Sequence, residues 1–173
     1  MTTWTSPTTI TQYAESGAES VHIPWNSHQL NALQSPGNEA LQTAGTLVHT
    51  ARSPKVDFTN KTYYIAATDF NFTNLPDQIS GVQLKLTTDR RGRITDETVH
   101  LLINNQPVGD NRASLTVDPI KVYGSETDLW GLSSLSKNDI TSSSFGVLIR
   151  FQSHPQWPHK DGATLYSAEL LIS

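Results

Sequence analysis

The sequence has no cysteine and few charged residues, and the lack of cysteine excludes several kinds of site. Of its 173 residues, 16% are charged and 36% are hydrophobic, and both fractions lie below the averages of globular proteins. Without cysteine the chain has no disulfide, no thiolate zinc site and no cysteine nucleophile. The absence of disulfides favours a protein that folds in a reducing cytoplasm.

Basic charge and long apolar runs are also missing. The formal net charge is −4, so the chain lacks the positive excess with which proteins neutralise nucleic-acid phosphates. No run approaches the ~18 apolar residues of a membrane span, and the first residues carry no signal-peptide pattern. We therefore expect no nucleic-acid partner, no membrane association and no secretion signal.

Sequence motifs of catalysis and of metal binding are absent as well. The chain has no G-x-S-x-G elbow, no glycine-rich phosphate loop and no H-E-x-x-H. His154 and His159 flank Trp157 in a proline-rich loop, but no third zinc ligand follows at a suitable spacing. We expect a non-enzymatic protein without a cofactor or a bound metal. A carboxylate pair across a cleft, as in glycosidases, is the alternative that the sequence leaves open.

What the chain does contain is a series of short segments in which apolar and polar residues alternate. Residues 82–87, 99–103, 145–151 and 166–172 follow this pattern, which is typical of half-buried strands. About seven or eight such segments predict an all-β fold, an antiparallel two-sheet β-sandwich that is jelly-roll-like. Residues 82–87 and 99–103 flank a turn with glycine and are predicted to form a hairpin, and residues 113–117 to form a further strand.

The chain divides into an irregular N-terminal segment and a strand-rich remainder. Residues 1–43 show little periodicity and are interrupted by glycine and proline. We predict an N-terminal arm over residues 1–43 and a β-sandwich domain over residues 44–173. Trp4, Tyr13 and Trp25 lie in the polar arm. Two interpretations are open: the segment packs on its own domain, or it docks on a neighbouring subunit with these aromatics as anchors.

A turn-rich corner around Trp130 is predicted to anchor the core. Burying a tryptophan removes a large apolar area from water, Asp128 is placed to accept backbone N–H groups in the turn, and Gly131 permits a positive φ. The strand that follows supplies further apolar side chains at alternate positions. The predicted structural core residues are Trp130, Gly131, Phe145, Val147 and Ile149.

Several short motifs in a fixed order carry a family likeness. The motifs at residues 64–72, 79–82, 108–113, 123–132 and 144–147 resemble a β-sandwich module found in structural proteins of tailed bacteriophages. The resemblance spans residues from about 60 to 173 and leaves the N-terminal 43 outside. It departs from the pattern at Ser133 and Ser134, where an aromatic is usual, and over residues 153–160.

The resemblance implies a setting in the virion, for a protein made in the host bacterial cytoplasm. The expected function is a non-enzymatic capsid decoration or cement protein, which bridges subunits of the major capsid protein as a homo-oligomer, a trimer being favoured. One alternative is a component of the tail, baseplate or fibre. A further alternative, from another class of protein, is a carbohydrate-binding module in which Trp157 and exposed tyrosines stack on sugars.

Two surface segments complete the predicted contact sites. The only basic cluster, Arg90, Arg91 and Arg93, is either a solvated turn or a contact for an acidic patch on a neighbouring subunit. Trp157 lies in the proline-rich loop before the last strand. The predicted interface residues are Trp4, Tyr13, Trp25, Arg90, Arg91, Arg93 and Trp157.

Overall fold

The computed structural model describes residues 3–17, 22–35, 40–45, 47–50, 58–89, 94–153 and 159–173, and nearly all their regular structure is strand. The predicted all-β, antiparallel two-sheet sandwich is confirmed, while its jelly-roll character stays a prediction. In chain order the strands are β1 (Thr9–Tyr13), β2 (Leu41–Gln42), β3 (Leu47–Thr50), β4 (Phe58–Thr59), β5 (Tyr64–Thr68), β6 (Val82–Thr88), β7 (Ile94–Ile103), β8 (Gln106–Val108), β9 (Ile120–Gly124), β10 (Gly146–Ser153), β11 (His159–Asp161) and β12 (Thr164–Ile172). A 3-10 helix covers Ser27–Gln34, and one short α-helix, α1, covers Lys137–Thr141.

The sandwich consists of a five-stranded and a four-stranded sheet. The strand order is β1-β5-β10-β7-β8 in the first sheet and β2-β12-β6-β9 in the second, and a small third sheet has the order β11-β3-β4. The apolar positions of the alternating strands face the space between the two large sheets. Val82, Leu84 and Leu86 of β6 are all fully buried there, as expected for a strand whose other face contacts solvent.

The predicted hairpin of residues 82–87 and 99–103 is wrong, because the two strands lie in different sheets. β6 pairs with β12 and β9, whereas β7 pairs with β10 and β8. The connection between them therefore crosses from one sheet to the other. The apolar faces of the two strands can then meet across the core, where each covers the other, as in other packed sheets.

Residues 113–117 do not form the predicted strand. Their backbone is bound by side chains instead: Lys121 Nζ lies 3.3 Å from the carbonyl oxygen of Ser114 and 3.4 Å from that of Thr116. The N–H of Ser114 donates to Asp96 Oδ2 over 3.2 Å. Since these contacts replace a strand ladder, the segment runs as an irregular connection from β8 to β9.

The described residues of the N-terminal segment, 1–43, do not form the predicted separate arm. β1 is an edge strand of the five-stranded sheet and pairs with β5, while Thr5 pairs with Leu170 of the other sheet. Trp25 is 1% exposed and Leu33 is fully buried. The segment thus packs on its own domain, and position 43 is no domain boundary.

Candidate functional site

The predicted interface aromatics have three different environments. Trp25 is buried, with Nε1 donating to the carbonyl oxygen of Tyr63 over 2.9 Å, so its assignment as an interface residue is corrected. Trp4 is half-buried beneath Lys85, whose Nζ lies 4.6 Å from the ring centroid. Tyr13 is 45% exposed. The other predicted interface residues, Arg90, Arg91, Arg93 and Trp157, lie outside the described residues.

The corner around Trp130 is held by its own backbone and by one carboxylate. Trp130 is fully buried, and its Nε1 donates to the carbonyl oxygen of Val82 over 2.9 Å. Asp128 Oδ1 accepts the N–H of Trp130 and an N–H of Arg112, both at 2.7 Å. Gly131 has a φ of +83°, but it is exposed, so its assignment to the core is corrected. The corner is structural.

The other residues assigned to the core lie on the face of β10, or just before it, that points into the space between the sheets. Phe145, Val147 and Ile149 are all fully buried. Phe145 precedes β10, and the other two residues lie within it. Leu148 and Arg150, on the opposite face of the same strand, are also buried, so both faces of β10 are covered.

An ion-pair cluster covers the outer face of β10. The guanidinium of Arg150, only 3% exposed, donates to Glu97 over 2.6 Å and to Glu15 over 3.2 Å. It also lies 4.1 Å from the ring centroid of Tyr64. Burial alone raises the pKa of Glu97, but hydrogen bonds from Arg150 and Thr98 outweigh burial and hold it below its ordinary value.

These carboxylates do not have the properties of a catalytic pair. The pKa of Glu15 is also lowered, by hydrogen bonds from Arg150 and His22. A general acid of a glycosidase needs a raised pKa, and both of these groups are ionised at neutral pH.

In the described part of the chain, no group of three or more His, Asp or Glu side chains is arranged to hold a metal ion, and no helix is long and apolar enough to cross a membrane.

Exposed apolar side chains are concentrated at one edge of the four-stranded sheet. Of the six large hydrophobic residues exposed in the described chain, four lie between positions 115 and 122. Ile120 and Val122 of β9 are 60% and 50% exposed, and Leu115 and Val117 precede them on the connection. We call these four residues the apolar edge. Such clusters mark contact surfaces more often than isolated apolar side chains do.

The backbone of β9 has an open side as well. β9 is the last strand of its sheet, and the N–H of Thr88 donates to the carbonyl oxygen of Pro119 over 2.7 Å. Ladder bonds alternate along an antiparallel pair, so Lys121 faces β6, whereas Ile120 and Val122 direct their N–H and C=O groups away from it. No described residue bonds these groups. An open row of this kind is a template for another strand.

The only charged side chain of β9 is turned inward. Lys121 Nζ donates to Asp96 Oδ2 over 2.7 Å, and the two side chains are 9% and 0% exposed. The hydroxyl of Tyr123 donates to the same carboxylate oxygen. Proteins commonly protect a free edge with an exposed lysine, and here that charge is withdrawn. The exposed side chains of β9 are therefore apolar, and the nearest exposed charge along the chain is Asp118, two residues before Ile120.

A shallow groove lies on the outer face of the five-stranded sheet. It has a volume of about 460 Å³. Its walls come from β1, β5, β7, β8 and the turn between the last two strands. The lining residues are Thr11, Tyr13, Ala66, Leu102, Asn105, Gln106 and Pro107.

Most residues of the apolar edge and of the groove were not identified from the sequence. The alternation of Ile120 and Val122 predicts a strand, but it does not reveal that the apolar face is the exposed one. Asn105 and Gln106 stand in a recognisable turn cluster, which says nothing of the strand opposite. Of these residues, only Tyr13 is predicted from the sequence to be functional, and it is predicted as a contact for another protein subunit. The groove unites residues up to 96 positions apart, so no local signal marks it.

Comparison with known proteins finds no matching family model, no matching curated protein and no matching solved structure. The likeness to tailed-phage structural proteins therefore stays a prediction from short motifs.

Proposed function

We propose that the protein is a non-enzymatic structural protein of a tailed-phage virion, which decorates or cements the capsid. The observation that carries this proposal is the apolar edge, where Ile120 and Val122 combine exposed apolar side chains with an open strand. A contact for another virion subunit is the role that best accounts for it. The ordered resemblance over residues 60–173 supports the virion setting.

In this proposal, the apolar edge binds a neighbouring subunit when the shell assembles. The partner is the major capsid protein, and the decorating protein is a homo-oligomer, with a trimer favoured. Each contact is small, and many copies together stabilise the shell because they bind only its assembled state. The rigid sandwich acts as the spacer between contacts.

Immunogold imaging of the virus particles that encode this sequence tests the proposal. Label spread evenly over the head is the expected result. Label confined to the tail would replace the cement function with the alternative of a tail, baseplate or fibre component. Purified particles without label would overturn both virion assignments.

A charge introduced at the apolar edge tests the contact itself. The double variant Ile120→Lys/Val122→Lys is expected to fold, since both side chains are exposed, and to lose binding to particles that lack the protein. Its matched control carries two new lysines on another exposed segment, Ser133→Lys/Ser134→Lys. Equal binding by the two variants would show that the apolar edge is not the contact.

A further inference from the structure

We propose that the groove on the outer face of the five-stranded sheet binds a neutral saccharide. This proposal goes beyond the structural function and is independent of the apolar edge, because the groove belongs to the other sheet. It assigns sugar binding to Tyr13, Asn105 and Gln106 and not to Trp157. Four features of the groove carry it: a fixed aromatic ring, free amide groups, the absence of charge and a suitable size.

The aromatic wall is positioned before any ligand arrives. The ring of Tyr13 stacks on that of Tyr64, with the centroids 5.1 Å apart and an angle of 30° between the planes. Tyr64 in turn is held by Arg150. A ring that is already fixed loses little freedom on binding, and Tyr13, which is 45% exposed, offers apolar ring surface to the C–H groups of a sugar.

The hydroxyl of Tyr13 is a hydrogen-bond donor at physiological pH. Burial and the neighbouring Tyr64 raise the pKa of Tyr13 above its ordinary value, so the phenol stays protonated. The groove thus presents an apolar ring face and a neutral donor from one side chain. Saccharides, which have C–H faces and a rim of hydroxyl groups, match this combination.

The opposite wall is a rigid turn that carries amide groups. Asn104 and Asn105 have φ values of +53° and +61°, as a two-residue hairpin turn of the primed type requires. The N–H of Asn105 donates to the carbonyl oxygen of Ser144 over 3.3 Å. The side-chain amides of Asn105 and Gln106 are exposed, and no described residue hydrogen-bonds them. Each amide offers both a donor and an acceptor, as vicinal hydroxyl groups require.

Among the described residues, the lining carries no charged side chain. Thr11 adds a hydroxyl, whereas Ala66, Leu102 and Pro107 form the apolar part of the surface. The lining residues offer a phosphate or a carboxylate no cation, and the nearby Arg150 is already paired with Glu15 and Glu97, so a charged ligand is disfavoured. The volume lies within the range of small-molecule sites. A neutral hexose or a short oligosaccharide meets these conditions.

Titration of the full-length protein with neutral oligosaccharides tests the proposal. The probes are oligomers of glucose, galactose, mannose and N-acetylhexosamine, and binding is followed by calorimetry and by ligand-observed NMR. We expect at least one series to bind. Tyr13→Ala and Asn105→Gly are each expected to weaken it about tenfold or more. The glycine retains the positive φ while it removes the amide.

Two controls separate the groove from other surfaces. Tyr166→Ala removes an exposed tyrosine of the other sheet and is expected to leave the affinity unchanged. The melting temperature of every variant is measured, so that a loss of binding is not mistaken for a loss of folding. Binding that survives Tyr13→Ala and Asn105→Gly, or that is lost only with Trp157→Ala, would overturn the assignment to the groove. The absence of binding to every probe would overturn saccharide recognition. Neither result bears on the lysine variants of the apolar edge, so the two proposals fail separately.

Discussion

At the scale of single residues, Trp130 shows how a side chain and its backbone depend on each other. Its φ of +58° lies in a region that residues other than glycine rarely adopt. The conformation persists because the ring is fully buried, its Nε1 bonds Val82, and Asp128 holds its N–H. A buried side chain thus stabilises a backbone conformation that would otherwise be unfavourable.

Replacing this ring is expected to disrupt folding. Trp130→Ala removes a fully buried side chain and leaves a cavity, which typically costs about 3–5 kcal/mol, a large share of the stability of a domain. We expect little soluble protein, or a melting temperature far below that of the wild type. Trp4→Ala, at a half-buried surface position, is the control and is expected to have a smaller effect. An unchanged melting temperature for Trp130→Ala would contradict the assignment of this corner to the core.

We expect Glu97 to contribute to the loss of stability of the protein in acid. Its pKa is lowered in the folded state from an unfolded value of about 4.3. A lowered pKa means that the contribution is fully present above the unfolded pKa and is lost as the pH falls through the folded pKa. We expect Glu97→Gln to be less stable than the wild type at pH 7, because Arg150 loses a charged partner.

The same variant is expected to lose part of the acid sensitivity. Melting temperatures measured between pH 3 and pH 7 should fall less steeply for Glu97→Gln than for the wild type. Glu126→Gln, at an exposed site, serves as the control and should follow the wild-type curve. Parallel curves for Glu97→Gln and the wild type would show that the ion pair with Arg150 does not contribute to acid stability.

At the scale of elements, the N-terminal segment is part of the sandwich and not an appendage. β1 completes the five-stranded sheet, β2 pairs with β12 of the other sheet, and the 3-10 helix buries Leu33. Between these elements, Trp25 packs edge-on against Phe151 of β10, with ring centroids 5.9 Å apart. The segment therefore contributes to both sheets and to the core between them.

Removal of the segment is expected to unfold the protein. A variant that lacks residues 1–43 would expose the apolar faces that β1, Trp25 and Leu33 now cover, so we expect aggregation in place of a soluble sandwich. Trp25→Ala should lower the melting temperature strongly, while Tyr13→Ala, at an exposed position of the same segment, should not. A soluble truncated protein with wild-type circular dichroism would restore the arm that the sequence predicts.

The strands themselves were predictable from the sequence, but their partners were not. Alternation with period 2 identifies β6, β10 and β12, because it records which side of a strand is buried. It does not record which strand lies alongside, so β6 and β7 were predicted as neighbours although they belong to different sheets. Arg150 shows the same limit: its outward position predicts exposure, and only the distant Glu15 and Glu97 explain its burial.

At the scale of the whole molecule, one core joins all parts of the described chain. Buried residues from the N-terminal segment, both large sheets, the corner and α1 form a single cluster. Backbone hydrogen bonds also connect segments that are far apart in the sequence, as between Thr5 and Leu170 or Asn60 and Ser153. A domain with one shared core is expected to unfold cooperatively.

Denaturant unfolding checks this expectation with two probes. Tryptophan fluorescence reports on all four tryptophans, among them the buried Trp25 of the N-terminal segment and the buried Trp130 of the corner. Far-ultraviolet circular dichroism reports on the sheets. We expect the two transitions to coincide. The comparison is repeated with Trp25→Phe, in which Trp130 is the one fully buried tryptophan left among the described residues. A fluorescence change that precedes the loss of circular dichroism in the wild type, and not in this variant, would show that the N-terminal segment detaches first.

The bridge between Thr5 and Leu170 has a mechanical consequence. In an antiparallel arrangement, the chain before Thr5 and the chain after Leu170 run to the same end of the molecule. A force applied through these two ends loads the bridging bonds one after another, as in opening a zipper, and not all together as in shear. Tension applied in this way would therefore peel the two sheets apart from that end of the molecule.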